Sequence, residues 1–220
     1  MNINNQGFTL YGIQNSQLKS AALLKNVEEN IGFIPNIHAL VAESPEALEA
    51  FQQLNQHFSQ SHFDVTEKEL IQIAISIENG CGYCVAGHST FAEMQDVPSS
   101  TIQALRTNQP VNDPKLEALN HFTRLLVQEK GKLPRYEVTK FLEAGYQKAH
   151  IMELIIGIGL KTFTNIVSSL THLPLDAEFS AHSWDPAVEG SKAILNKNSQ
   201  DHHTSIEIDD SPVSKMVSNS

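Results

Sequence analysis

Two cysteines occur in the chain's 220 residues, and they stand three positions apart, in the run Cys81-Gly-Tyr-Cys84-Val-Ala-Gly-His88. On a helix, Cys81 and Cys84 are separated by one turn, and Cys84 to His88 is an i, i+4 step. One face of one helix therefore carries both sulfurs and an imidazole within a few ångströms of one another. Asn79-Gly80 immediately upstream breaks any preceding helix, so the pair sits at a helix start. Free amides and the positive end of the helix dipole favour a thiolate there. A free cysteine with pKa near 8.5 is only a few per cent ionised at neutral pH, whereas helix-start Cys-x-x-Cys pairs commonly fall near 7 or lower, about a tenfold gain in the reactive form. The spacing also suits a dithiol–disulfide switch. His88 can accept or return a proton, and a carboxylate can orient it. Glu69, one helix earlier, is the favoured carboxylate, with Glu67 and Glu78 as competitors.

Other readings of the same residues are weaker. Structural zinc needs four ligands, and Cys81, Cys84 and His88 supply three. A c-type haem needs His directly after the second Cys, where Val85 stands. Two ordinary buried cysteines on a core helix remain the bland alternative. His57, His62, His121 and His172 are scattered and read as surface or core residues. Phe33, Phe51, Phe58, Phe122 and Phe163 read as core or pocket wall, and Asn165 as a hydrogen-bonding neighbour of the site.

The elements that must position these groups are helical throughout. Leu18, Ala22, Leu23, Val27 and Ile31 recur at three- and four-residue steps before Gly32. Pro35 and Pro45 open short helices over 35–43 and 45–59. Thr66 with Glu69 reads as a capping box opening a helix with Leu70, Ile73, Ala74 and Ile77 on one face. Further helices are expected from Cys81 to about Gln95, from Pro98, from Asp113-Pro114 to Gly131, over 134–144 and over 149–172. Gly157 and Gly159 in the last suggest close helix packing. Laying Glu69–Phe91 forward onto His150–Thr171 gives similar apolar spacing, with Thr162 and Asn165 in place of the cysteines. A degenerate duplication and two independent helices both account for that. No alternating run suggests a strand, so residues 1–184 read as one all-α domain, a bundle of about eight helices. Residues 185–220, rich in Ser, Asn, Asp, Lys and His, read as a polar, disordered tail in which His202-His203 is a solvated pair.

Composition narrows the partners. Forty per cent of residues are hydrophobic and 18% charged, and the net charge is −10. No global attraction draws such a chain to nucleic acid or to an anionic membrane. Its first thirty residues lack the features of a secretory leader, and the apolar run Leu154–Leu160 is far below the roughly 20 residues that span a bilayer. With so few cysteines, a cytoplasmic protein is expected.

The pattern Glu69…Cys81-Gly-Tyr-Cys84-Val-Ala-Gly-His88 resembles the carboxymuconolactone decarboxylase family, in its AhpD-like alkylhydroperoxidase branch. Ile31-Gly-Phe-Ile-Pro-Asn36, Lys161-Thr-Phe-Thr-Asn165 and Leu173-Pro-Leu-Asp176 are similar to its peroxidase-related subgroup. The resemblance implies an all-helical trimer or hexamer that reduces a small hydroperoxide without metal, haem or flavin. It implies Cys84 as the peroxidatic and Cys81 as the resolving cysteine, with His88 and Glu69 as proton relay. The dipole alone favours Cys81 as nucleophile; His88, one turn from Cys84, favours the implied order. An external dithiol or protein reductant would restore the pair. One departure is Tyr83, where mycobacterial-type members carry a relay histidine; its phenol is a possible substitute. Alternatives are a thiol–disulfide exchange protein and a small-lactone decarboxylase, although members of the latter activity usually lack the Cys pair.

Overall fold

The structure, a computed structural model, describes residues 7–188. Among the described residues it is all-helical: α1 (Leu18–Ile31), α2 (Asn36–Val41), α3 (Pro45–Ser59), α4 (Val65–Glu78), α5 (Gly82–Met94), α6 (Ser99–Arg106), α7 (Pro114–Gln128), α8 (Arg135–Glu143), α9 (Lys148–Thr171) and a short 3-10 turn, Ala177–His182. The tail expected over 185–220, with His202 and His203, lies outside the described residues from 189 onward.

The centre is α4. Leu70, Ile71, Ile73, Ala74 and Ile75 are all essentially inaccessible to water, and α5, α6, α7 and α9 pack around them. A one-sided apolar face was expected; the helix is instead surrounded, as its nearly unbroken apolar run requires. Its start also differs from the Thr66–Glu69 reading. Asp64 is the N-cap, its side chain accepting from Glu67 N at 2.8 Å, while the Glu67 carboxylate accepts from Asp64 N at 3.0 Å. Asp64, two positions earlier, caps the first turn and leaves Glu69 free for other partners.

The end of α4 and the start of α5 are one device. Gly80, at φ 65°, lets the chain turn left-handed, so that Gly80 N donates to Ile77 O at 3.0 Å and Cys81 N donates to Ser76 O at 2.9 Å. That is a Schellman closure. The same Cys81 then caps α5 with its sulfur, which accepts from Cys84 N at 3.3 Å.

The last helix, α9, lies along α3 and α4. Gly157 permits the contact: a Cβ there would stand 2.7 Å from the Phe58 ring, whereas Gly159 faces open space. By length and composition alone α9 could cross a membrane. Its continuous 24 residues contrast with the interrupted α4–turn–α5 segment, so the suspected duplication has no structural counterpart.

Candidate active site

Four segments meet at the Cys pair. Cys81 and Cys84 are 2% and 3% exposed and both are free thiols. From α4, Glu69 reaches across to α5: its Oε2 lies 2.9 Å from His88 Nδ1, and its Oε1 accepts from Gln95 Nε2 at 3.1 Å and more weakly from Gln72 Nε2 at 3.5 Å. The competing carboxylates are engaged elsewhere. Glu67 takes Lys115 and the Tyr146 hydroxyl, and Glu78 takes Arg124 and Gln128.

From α9, Asn165 Oδ1 accepts from Asn79 Nδ2 at 2.8 Å, fastening the helix to the turn before Cys81. One turn earlier on α9 is Lys161, 3% exposed. Cys84, His88, Glu69 and Lys161 all line a cavity of about 500 Å³, whose walls include Phe51, Phe58, Phe91, Phe179 and Leu160. Cys81 is not among its lining residues.

Electrostatics divides the sulfurs. The Cys84 thiol donating to Cys81 is the main cause that brings Cys81 down to about 6, with Lys161 and the Cys84 amide assisting against burial. Burial, and the hydrogen bond to Cys81, push Cys84 well above its usual range. The more acidic sulfur is thus the one away from the cavity, and the reachable sulfur is protonated beside it. Burial and the Lys161 charge lower His88 below its usual range, partly opposed by Glu69, so the ring is neutral at pH 7 and able to take a proton.

Tyr83 does not join this relay through a direct hydrogen bond. Its hydroxyl donates to Asp176 Oδ2 and accepts from Ile37 N at 3.2 Å. Asp176 also accepts from Asn36 N at 3.0 Å, while Asn36 Nδ2 donates to Pro174 O at 3.1 Å. Burial and the Asp176 charge raise the phenol's pKa further, away from any range in which it would exchange protons at neutral pH. Among the described residues, no three His, Cys, Asp or Glu side chains cluster to hold a metal ion.

This geometry can be set beside known proteins. Residues 45–124 match the carboxymuconolactone decarboxylase family. The matched stretch contains the whole of Glu69–His88, and the likeness first read from that motif is borne out. In overall fold the chain is similar to an AhpD-core, peroxidase-related protein from Ralstonia eutropha JMP134, with TM-score 0.72 and 17% identity over 81% of this chain and 95% of that one. A peroxidase-related protein from Silicibacter sp. TM1040 gives TM-score 0.69 and 18% identity, over 81% and 95%. The debrominase Bmp8 gives 0.63 and 18%, over 80% and 91%. At these identities the likeness speaks for the fold. No curated protein matches the chain.

Within the matched segment, the two glycines of the motif have a role that spacing did not reveal. The C-terminal stretch 177–184 lies against α5. A Cβ on Gly82 would stand 2.5 Å from the Trp184 carbonyl oxygen, and one on Gly87 would stand 3.2 Å from the Phe179 ring. Arg106 holds this strap from the α6 side, donating to the carbonyls of His182 and Ser183 at 2.9 and 3.0 Å. Replacing Gly82 by Ala should displace Trp184, at a cost of about 1–3 kcal/mol as for other overpacked contacts. Trp184 is the chain's single tryptophan, so its fluorescence, followed through urea unfolding, reports both effects. Sequence alone also missed the buried Lys161 charge and His38, another cavity residue, which burial lowers to about 4 and whose Nδ1 has no partner among the described residues.

Proposed function

We propose that the chain is a thiol-dependent peroxidase for alkyl hydroperoxides, with an antioxidant role. The observation that carries this reading is the placement of Cys84 on a largely apolar cavity, with Cys81 in hydrogen-bond contact behind it and the His88–Glu69 pair opening onto the same space. The apolar wall suits the organic group of ROOH, while the sulfur, imidazole and carboxylate meet its oxygens.

The Cys84 sulfur, as thiolate, attacks the terminal peroxide oxygen. The O–O bond breaks, sulfur takes that oxygen as sulfenic acid, and RO⁻ leaves as ROH with a proton managed by His88 and Glu69. Cys84 loses its own proton to Cys81, its hydrogen-bond partner, or to His88 on the same cavity wall. Cys81 then displaces hydroxide from the sulfenic acid, which departs as water, and a Cys81–Cys84 disulfide forms. An external dithiol, small or protein-borne, returns two electrons and two protons to the pair. The cycle asks for no metal, haem or flavin. A homo-oligomer, trimer or hexamer, fits the exposed apolar stripe Met152, Ile155, Ile166 and Leu170 on α9. The acidic charge fits a protein with neither nucleic acid nor an anionic membrane as partner, and the scarcity of cysteines fits the cytoplasm.

The deciding experiment titrates the reduced full chain with an alkyl hydroperoxide while following thiol loss, sulfenate trapping and ROH release. Two thiols should disappear per peroxide consumed, at least roughly a hundredfold faster than a free thiol at the same pH. Rates no better than a free thiol, with rapid exchange against model disulfides, would replace this reading with a thiol–disulfide exchange protein. Decarboxylation of a small lactone by the double Cys81→Ser, Cys84→Ser variant would move the chemistry to His88 and Glu69. Debromination of a bromopyrrole, with no peroxide turnover, would point to the activity named for Bmp8.

A further inference from the structure

Lys161 is a buried cation without a carboxylate partner among the described residues. Several charged groups on the elements packed against α5 have partners of their own, and Lys68, the other lysine on the cavity wall, is half-buried and donates to Ser59 O at 2.7 Å. Glu69 binds His88, Gln95 and Gln72; Glu78 binds Arg124; Arg106 binds Ser89 and the strap carbonyls; Asp176 binds Tyr83 and Asn36; and His182 binds Glu93. A lysine at 3% exposure with no counter-charge is costly to keep, because an ammonium ion taken from water must be compensated where it lies.

The register of α9 sets Lys161 beside the sulfur pair. Asn165 is fastened to Asn79 and lies 3.4 Å from Ser76 Oγ, at the turn that delivers Cys81. Lys161 is one helical turn away on that face and shares the cavity wall with Cys84 and His88. The geometry points to Lys161 as the counter-cation of the Cys81–Cys84 pair, a positioning residue that holds the single negative charge the two sulfurs share. The inference rests on the thiol reading of the site and deepens it.

Two consequences follow. Beside the hydrogen bond from Cys84, which is the main cause, the attraction of Lys161 for both thiols helps to keep one proton off the pair at neutral pH. Closing the disulfide removes that charge, so oxidation strands the ammonium. By reciprocity, Lys161 must hold its proton less tightly in the oxidised protein than in the reduced one.

The first test needs no peroxide, so it fails independently of the peroxidase reading. The reduced full chain is titrated by thiolate absorbance near 240 nm and by the pH dependence of iodoacetamide alkylation. Lys161→Met should raise the apparent pKa of the first thiol by about one unit or more, cutting the thiolate fraction roughly tenfold on the acid side of the transition. Lys161→Arg should restore most of it, an effect that loss of packing would not produce. A folded Lys161→Met protein that titrates like the parent overturns the proposal.

If Lys161→Met does not fold, the parent protein supplies the answer. Lysine side chains labelled with carbon-13 at Cε are titrated by NMR in the reduced protein and after oxidation with diamide, which takes two electrons and the remaining thiol proton from the pair and its second proton from solvent. One lysine, assigned with Lys161→Arg, should lose its proton at lower pH in the oxidised form. The same titration in both redox states would overturn the assignment.

Discussion

Replacing Cys84 by serine should abolish peroxide-dependent oxidation of an added dithiol, a fall on the order of a thousandfold or more. Serine keeps the volume and one hydrogen bond but offers no polarizable nucleophile to the cavity. Cys81→Ser should behave differently. Its Cys84 still faces the cavity, so each chain consumes one equivalent of peroxide, and the sulfenic acid then persists because no second sulfur captures it. Trapping with a dimedone-type reagent and mass spectrometry distinguishes the two variants. Sulfenate in Cys84→Ser and none in Cys81→Ser would reverse the roles, in favour of the sulfur at the helix start. Equal residual turnover in both would remove the cysteines from the chemistry. The parent protein has a matching pH dependence. With Cys81 held at about 6, the pair carries one negative charge at pH 7. Proton uptake below that value removes it, so the rate should fall as pH is lowered, approaching tenfold per unit on the acid side.

The second large effect is expected at His88. The Glu69 oxygens face His88, Gln95 and Gln72, and the two amides can only donate to them through nitrogen. A carboxylate oxygen can only accept, so His88 carries its hydrogen on Nδ1 and donates it to Glu69 Oε2, which leaves Nε2 as the base. Because burial keeps the ring neutral at pH 7, that base is available without any cost of deprotonation. His88→Ala should slow peroxide reduction by roughly a hundredfold or more at pH 7, the usual range for a positioned acid–base group. Glu69→Gln should have a smaller effect, since an amide can still orient the ring, though it can also present a donor and favour the wrong tautomer. Stopped-flow rates, with thermal melts to confirm folding, give the comparison. A His88→Ala enzyme as fast as the parent would remove the imidazole from the mechanism.

What the sequence disclosed and what it hid divide along chain separation. Cys81, Cys84 and His88 share one helix, and a tight turn returns Glu69 beside them, so local spacing sufficed. The capping box went astray because two candidates overlap within three residues, and Asp64 stands where the first turn begins, ahead of Thr66. The Asn36, Tyr83 and Asp176 triangle, the Lys161 charge and the Trp184 carbonyl over Gly82 join segments roughly 50 to 140 positions apart. No periodicity records such meetings. A trace existed: Gly87 inside a short helix is unfavourable by roughly 1 kcal/mol against alanine, which asks for a reason in packing. Asn165, expected as a hydrogen-bonding neighbour of the site, meets Asn79, Ser76 and the Cys84 thiol.

The strap over Gly82 decides how the spent form can be regenerated. It lies over the residue next to Cys81, which is 2% exposed and away from the cavity wall, while the cavity opens on Cys84. An incoming thiolate would therefore join to the Cys84 sulfur and expel Cys81. Attack on a disulfide is fastest when the departing sulfur is the more acidic one. The environment that lets Cys81 carry charge thus makes it the better leaving group, and the same polarity of the pair serves both halves of the catalytic round.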